Sequence, residues 1–193
     1  MAKYGGKDLL IKRTITATAW AGTTAYTVGV YVTNSSNIYR CITAGTSAGS
    51  GGPTGTTSDI TDGTAHWKYV QPVASGLFLT VAGMRSTSMS INNEAVDVTD
   101  KGDVPWRTLL AVGIRSMELS ASGIFSNADV LNDIMADATS GAISNFKITR
   151  GRGDSFLGDF LVASCERSGE YNQAEQYTLS LSSSGAIAYT PAP

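Results

Sequence analysis

Three stretches of this chain alternate with a period of two, the side-chain repeat of a strand with one face buried and the other in solvent. Met84–Asn92 puts Ser86, Ser88 and Ser90 on one face and Thr87, Met89 and Ile91 on the other. Ile114–Ser122 sets Ser116, Glu118 and Ser120 against Met117, Leu119 and Ala121. Gln176–Ser182 sets Gln176, Thr178, Ser180 and Ser182 against Tyr177, Leu179 and Leu181. Phe146–Arg150 and Leu157–Arg167 read as strands with weaker alternation. Only a sheet with one apolar face and one face of small hydroxyls satisfies this pattern. The composition agrees: 22 Ser, 22 Thr and 21 Gly fill the chain, and charged residues make up only 16%. Typical globular domains carry about 25%. One helix is expected. Ser126 or Asn127 caps it, Asp129 suits its first turn, Val130, Leu131, Ile134 and Met135 form an apolar stripe, and Gly141 ends it. The fold class is mainly β, a β-sandwich or partly open barrel with one packed helix.

Charge is unevenly spread. Between Thr14 and Ser75 the only charged residues are Arg40, Asp59, Asp62 and Lys68, four in 62 positions, whereas the other 131 positions hold 26. A change this abrupt marks a separate module. It begins after the strand-like Leu9-Leu10-Ile11 and stops before Leu77-Phe78-Leu79, so it reads as an insertion into a loop between two strands, where insertions are best tolerated. The expected division is residues 14–75 as a small all-β module inside a host of residues 1–13 and 76–193. Short strands are expected at Gly29–Thr33, Ile38–Thr43 and His66–Val70, with turns at Asn34-Ser35-Ser36-Asn37 and Asp62-Gly63. The module is rich in rings: Trp20, Tyr26, Tyr31, Tyr39, Trp67 and Tyr69. They have two readings. They form the core of a small domain, or some of them (Trp20, Tyr31, Tyr39, Trp67, Tyr69) stand exposed as flat stacking surfaces for a sugar.

Several function classes are disfavoured. The formal net charge is −2, with 14 basic and 16 acidic residues and no Lys/Arg cluster, so the basic face of a phosphate-gripping protein is absent. Guiding nucleic acid without gripping it stays open. Cys41 and Cys165 are far apart, no CxxC occurs and His66 is the only histidine, so neither a zinc site nor a cofactor is implied. Both thiols read as buried small hydrophobes. No run reaches about 18 apolar residues, and residues 1–10 lack an apolar signal core, so a cytoplasmic origin without membrane insertion is expected. His66 beside Trp67 reads as a half-buried strand residue. The carboxylate pairs Asp97/Asp100 and Asp154/Asp159 have no spacing that singles one out for acid–base work. An enzyme is therefore not expected. Arg152-Gly153-Asp154 spells an adhesion tripeptide, and Asn34-Ser35-Ser36 a glycosylation sequon, but neither has supporting context.

Two features point to assembly. A wet face of Ser and Thr with no row of cations suits the wall of a channel as well as a solvated sheet. Glu94–Gly113 is also long for a hairpin connection, where two to five residues are usual. It mixes Asp97, Asp100, Lys101, Asp103 and Arg107 with Trp106, Leu109 and Leu110. It reads either as a loop folded back on its own sheet or as an arm for a neighbouring subunit, since Trp and Arg are frequent interface anchors.

Particular runs also resemble a known family. Gly6-Lys7-Asp8-Leu9-Leu10-Ile11-Lys12, Val81-Ala82-Gly83-Met84-Arg85-Ser86 and Asn93-Glu94-Ala95-Val96-Asp97-Val98-Thr99-Asp100 look like segments of major tail tube proteins. So do Trp106-Arg107-Thr108-Leu109-Leu110 and Ser120-Ala121-Ser122-Gly123-Ile124-Phe125. Those proteins belong to long non-contractile-tailed phages and related gene transfer agents. The resemblance implies a virion protein that forms stacked, hexameric rings around a lumen. Its implied partners are further copies of itself, a tape-measure protein, tail terminator and tip proteins, and double-stranded DNA that passes without specific binding. It makes Val96, Asp97, Val98, Thr99, Asp100, Lys101, Trp106, Arg107, Leu109 and Leu110 a ring-to-ring arm. Ser86, Ser88, Ser90, Ser116, Glu118, Ser120, Thr178 and Ser180 become candidates for the lumen wall. The insert departs from the family pattern. It is similar to small β-modules of phage virion proteins and, more distantly, to chitin-binding modules. That implies an external decoration with cell-surface glycans as candidate partners, and a competing reading of the whole chain as a carbohydrate-binding protein.

Overall fold

The computed structural model describes residues 5–102, 106–110, 113–126 and 129–193. The chain divides into two compact units. One is the chain up to Arg13 together with Thr80–Pro193; the other is Thr14–Leu79. The second boundary falls four residues beyond the expected Ser75, because the chain first makes a 3-10 turn at Val73–Ser75 before strand Phe78–Thr80.

The strands, in chain order, are β1 (Leu10–Thr14), β2 (Ala17–Ala19), β3 (Ala25–Tyr26), β4 (Tyr31–Asn34), β5 (Asn37–Thr43), β6 (Gly45–Thr46), β7 (Ile60–Asp62) and β8 (Ala65–Pro72). They continue as β9 (Phe78–Thr80), β10 (Met84–Asn93), β11 (Val96–Asp97), β12 (Leu109–Leu110), β13 (Arg115–Ile124), β14 (Ile143–Thr149), β15 (Ser155–Ser168) and β16 (Gln176–Thr190). The helix α1 spans Asp129–Ser140.

The first unit is built on one seven-stranded sheet in the order β10-β13-β16-β15-β14-β1-β9. Alternation decides its faces. Met117, Leu119 and Ala121 of β13 are buried, as are Tyr177, Leu179 and Leu181 of β16 and Phe156, Phe160 and Val162 of β15. Helix α1 packs against β15 on this apolar side. Its stripe behaves as the spacing predicts: Val130, Leu131 and Ile134 are buried, each contributing roughly 1.5–3 kcal/mol. The half-buried Met135 brings Sδ to 3.2 Å from Cys165 Sγ. Gly141 follows the last turn at φ +68°, the left-handed conformation that ends helices cheaply only at glycine. Asn127 lies outside the described residues, so the expected N-cap is not described.

One polar link pins this helix. Arg13, on the apolar side of β1, donates from Nε to Asp137 Oδ2 at 2.7 Å and from a terminal nitrogen to Oδ1 at 3.0 Å. Asp133 adds a carboxylate 3.8 Å away. A two-pronged Arg–carboxylate contact is among the strongest side-chain pairings.

One strand runs well past its expected limit. β16 continues from Ser182 to Thr190, although Ser183-Ser184-Gly185 breaks the alternation. The partner register jumps from Asp159↔Ser184 to Leu157↔Ala188. The extra residues bulge out, and Gly185 takes φ +86° there. A bulge hides a strand from any period-two reading.

The second unit holds a five-stranded sheet, β2-β4-β5-β8-β7, and the small β3-β6 pair. β2 runs parallel to β4 and the other pairs are antiparallel. The β4–β5 hairpin closes through Ser35 and Ser36, both at positive φ (47° and 65°), the two-residue geometry that matches strand twist. Asn34 Nδ2 donates to the carbonyls of Gly51 and Pro53 at 2.9 and 3.0 Å, so the sequon amide is occupied in holding the loop.

Asp137→Ala is expected to lower the unfolding free energy by roughly 3–5 kcal/mol, because Arg13 would be left without its fork. Urea unfolding followed by circular dichroism measures it. A loss below about 1 kcal/mol would mean that the apolar stripe alone docks the helix.

Candidate assembly surfaces

The hydroxyl face is continuous across four strands. Register places Ser88 opposite Ser120, Ser120 opposite Ser180 and Ser180 opposite Ser164. A second row runs Ser86, Ser122, Thr178, Glu166. A third runs Ser90, Glu118, Ser182, Leu161, and Ser182 Oγ donates to Glu118 Oε2 at 2.7 Å. Ser86, Ser88, Ser90, Glu118, Ser120 and Thr178 are exposed, and Ser116 and Ser180 half-buried. The face thus brings together all eight residues expected on it. It also recruits Ser122, Ser164 and Glu166, which the sequence reading missed. Ser164 is invisible to simple alternation because a register shift between Val162 and Ser164 changes the phase of β15. Beyond Leu161 the same face turns apolar at Ile143, its partner on β14.

The arm is a hairpin. β11 pairs with β12, Val96 with Leu110 and Asp97 with Leu109. Asp97 Oδ1 accepts from the Thr99 amide at 3.0 Å and from its hydroxyl, and Thr99 Oγ1 accepts from the Thr108 amide at 2.9 Å. These bonds hold the Asp97 carboxyl below its ordinary range, with the Arg107 guanidinium 3.7 Å away as a smaller influence. Asp100 Oδ1 accepts from the Gly102 amide at 2.6 Å. At the root, the Glu94 amide donates to Ile114 at 3.0 Å. A Cβ on Gly113 would meet the Glu94 carbonyl oxygen at 1.9 Å, so only glycine fits there.

The arm has no core of its own. Every described residue from Ile91 to Leu110 is exposed, Val96, Val98, Lys101, Leu109 and Leu110 included. Trp106 is 81% exposed. A lone two-stranded hairpin is marginal in water, and Val96, Val98, Trp106, Leu109 and Leu110 stand exposed on this one. Asp103 lies outside the described residues.

The rings of the module go the other way. Tyr39 and Trp67 have 0% exposure and Tyr31 is buried as well. This corrects the reading of these three as a sugar platform: a ring without accessible face cannot stack on a ligand. Trp20 and Tyr69 are half-buried against the same cluster. The two indoles are held by Asp62, itself buried. Its Oδ2 accepts from Trp20 Nε1 at 2.7 Å and Trp67 Nε1 at 3.1 Å, and its Oδ1 from the Ala48 amide at 2.9 Å. Tyr26 meets Trp67 edge-on at 4.9 Å.

Among the described residues no three His, Cys, Asp or Glu side chains gather as a metal site. Both thiols are free, and burial pushes both up from the usual thiol range. The Tyr177 hydroxyl, pushed up to about 12 mainly by burial, donates to the Ala82 carbonyl at 2.9 Å. His66 Nδ1 lies 2.7 Å from Asp59 Oδ1. In Arg152-Gly153-Asp154 the aspartate is 1% exposed and bound by Arg150, so the tripeptide is not presented for adhesion.

The fold thus belongs to a class of β proteins with a two-faced sheet and an exposed hairpin. The comparisons name that class. The family of phage tail tube proteins matches residues 69–189, and the chain belongs to it, as a component of the virion tail. A chain in the virion of a native gene transfer agent particle is 33% identical with a TM-score of 0.55, the match covering 59% of this chain and 89% of that one. A chain in the tail of an empty gene transfer agent particle, refined with C6 helical symmetry, is also 33% identical, with a TM-score of 0.56 over 63% of this chain and 92% of that one. No curated protein matches.

Asp62→Ala strands three donors, each costing roughly 1–3 kcal/mol. The expected outcome is a module with red-shifted indole emission and lost amide protection in β5 and β8; unchanged protection would show that Asp62 is dispensable. Asp154 gives a pH test. The Arg150 hydrogen bond, its largest influence, holds its carboxyl below the ordinary range. A depressed native value means that the stabilisation is complete above the ordinary Asp range, about pH 4, and fades only as pH falls through the lower native value. The Gly153 amide resonance should therefore stay flat down to about pH 4 and move below it; a midpoint in the ordinary range would refute the pairing.

Proposed function

We propose that this chain self-assembles into stacked rings of six that form the wall of a tail tube, with the hydroxyl face toward the lumen and the Thr14–Leu79 module outward. The observation that carries this is the conjunction of the exposed Trp106 arm and the three hydroxyl rows in one chain. The rows of Ser and Thr bond water and carry no cation of their own for DNA phosphates to grip, Lys12 and Lys147 standing beyond them on the same face, and Glu118 adds a like charge. Such a wall lets a genome slide. The C6 tail in which a 33% identical chain sits supports the sixfold order. A tape-measure protein filling the lumen before ejection, and terminator and tip proteins at the tube ends, complete the reading. The function calls for no catalytic residue. Glycan binding by the module is the weaker reading, since it would have to rest on Trp20 and Tyr69.

Negative-stain electron microscopy over a concentration series tests the tube. Stacked rings with lateral knobs are expected, and globules at every concentration would overturn it. Trp106→Asp should abolish tubes while leaving the circular dichroism and melting temperature of the monomer unchanged. Normal tubes from that variant would refute a contact role for the arm. Replacing residues 14–75 with a short loop should remove the knobs and keep the tube; loss of tubes would make the module part of the wall.

A further inference from the structure

The apolar face of the first sheet is not fully covered. At the end where the arm leaves, a cleft of about 260 Å³ opens among Ile91, Met117, Phe156, Ile187 and Tyr189. The β16 bulge builds it. Ile187 lies over Gly158, where a Cβ would sit 2.3 Å from its Cδ1, so glycine makes the space and the bulge supplies the wall. Phe156 and Tyr189 stack at 4.9 Å. The mouth is greasy: Ile91 is 51% and Tyr189 54% exposed. Apolar cavities of roughly 150 Å³ already admit a benzene ring, so this one has room for an indole.

One chain thus exposes two unsatisfied apolar surfaces, a protruding Trp106 and a cleft with the dimensions of its ring. Its own Trp106 is 81% exposed and does not fill the cleft. We infer that the cleft receives the Trp106 arm of a second copy of this chain. Three observations favour that occupant. The chain belongs to a tube-forming family, and an open-ended polymer needs two different, complementary patches rather than one self-complementary patch. Glu94–Gly113 carries four acids and two bases, and the one fixed charge lining the cleft is the cation Arg115. An aromatic anchor in an apolar pocket with a polar rim is the usual anatomy of an energetic hot spot.

The inference rests on the tube reading, and the test separates the two. A subunit with benzoyl-phenylalanine at position 106 is mixed with an excess of isotope-labelled wild-type protein, polymerised, irradiated and mapped by mass spectrometry. Adducts joining position 106 to labelled peptides that contain Ile91, Met117, Phe156, Ile187 or Tyr189 are expected. Adducts on other labelled peptides, or only within the same chain, overturn the inference while tubes in the micrograph keep the tube reading. Absence of tubes from wild-type protein overturns both. Ile91→Lys is an independent check: it should give a folded monomer that forms no tubes. Tubes of normal length from that variant would overturn the inference even if the labelled subunit fails to incorporate.

Discussion

A sheet with one apolar face is stable only if that face is covered, and the rest of the first unit follows from how the covering is done. Helix α1 covers part of it, through Val130, Leu131 and Ile134, and the Arg13–Asp137 fork fixes where the helix sits. Arg13 is the last residue before the chain leaves for the second unit. The fork therefore anchors β1 near its end. What the helix does not reach remains greasy, at Ile91 and Tyr189. Incomplete covering is a defect in a monomer and a resource in a polymer.

The opposite face obeys a different rule. Ser and Thr keep the sheet soluble without long charged side chains, so the surface stays smooth and its field weak. The pairing of Glu118 with Ser182 ties down the acid lying in the middle of the rows.

The module illustrates how composition misleads about exposure. A segment with four charges and six rings invites a binding reading, yet Asp62 draws two indoles inward and Tyr39 and Trp67 become core. A small domain has little interior, and its largest side chains are what fill it. One buried carboxylate decides the fate of two of the rings because a buried polar group must be satisfied, and the indole N–H groups are donors within its reach.

The sequence by itself determined which residues share a face. A period of two is local, so Ser86, Ser88 and Ser90, Met117 and Leu119, and Thr178 and Ser180 were legible, as was the helix stripe. Tertiary structure decided everything that depends on register between distant strands. It aligned the serines of four strands into rows, hid Ser164 behind a shift of phase, extended β16 through a bulge and opened a cleft over Gly158. It also turned Tyr31, Tyr39 and Trp67 inward, since a ring in a strand does not declare which neighbour will bond its edge. Local periodicity fixes the faces of a strand. Only the pairing of strands far apart in the chain fixes what those faces meet.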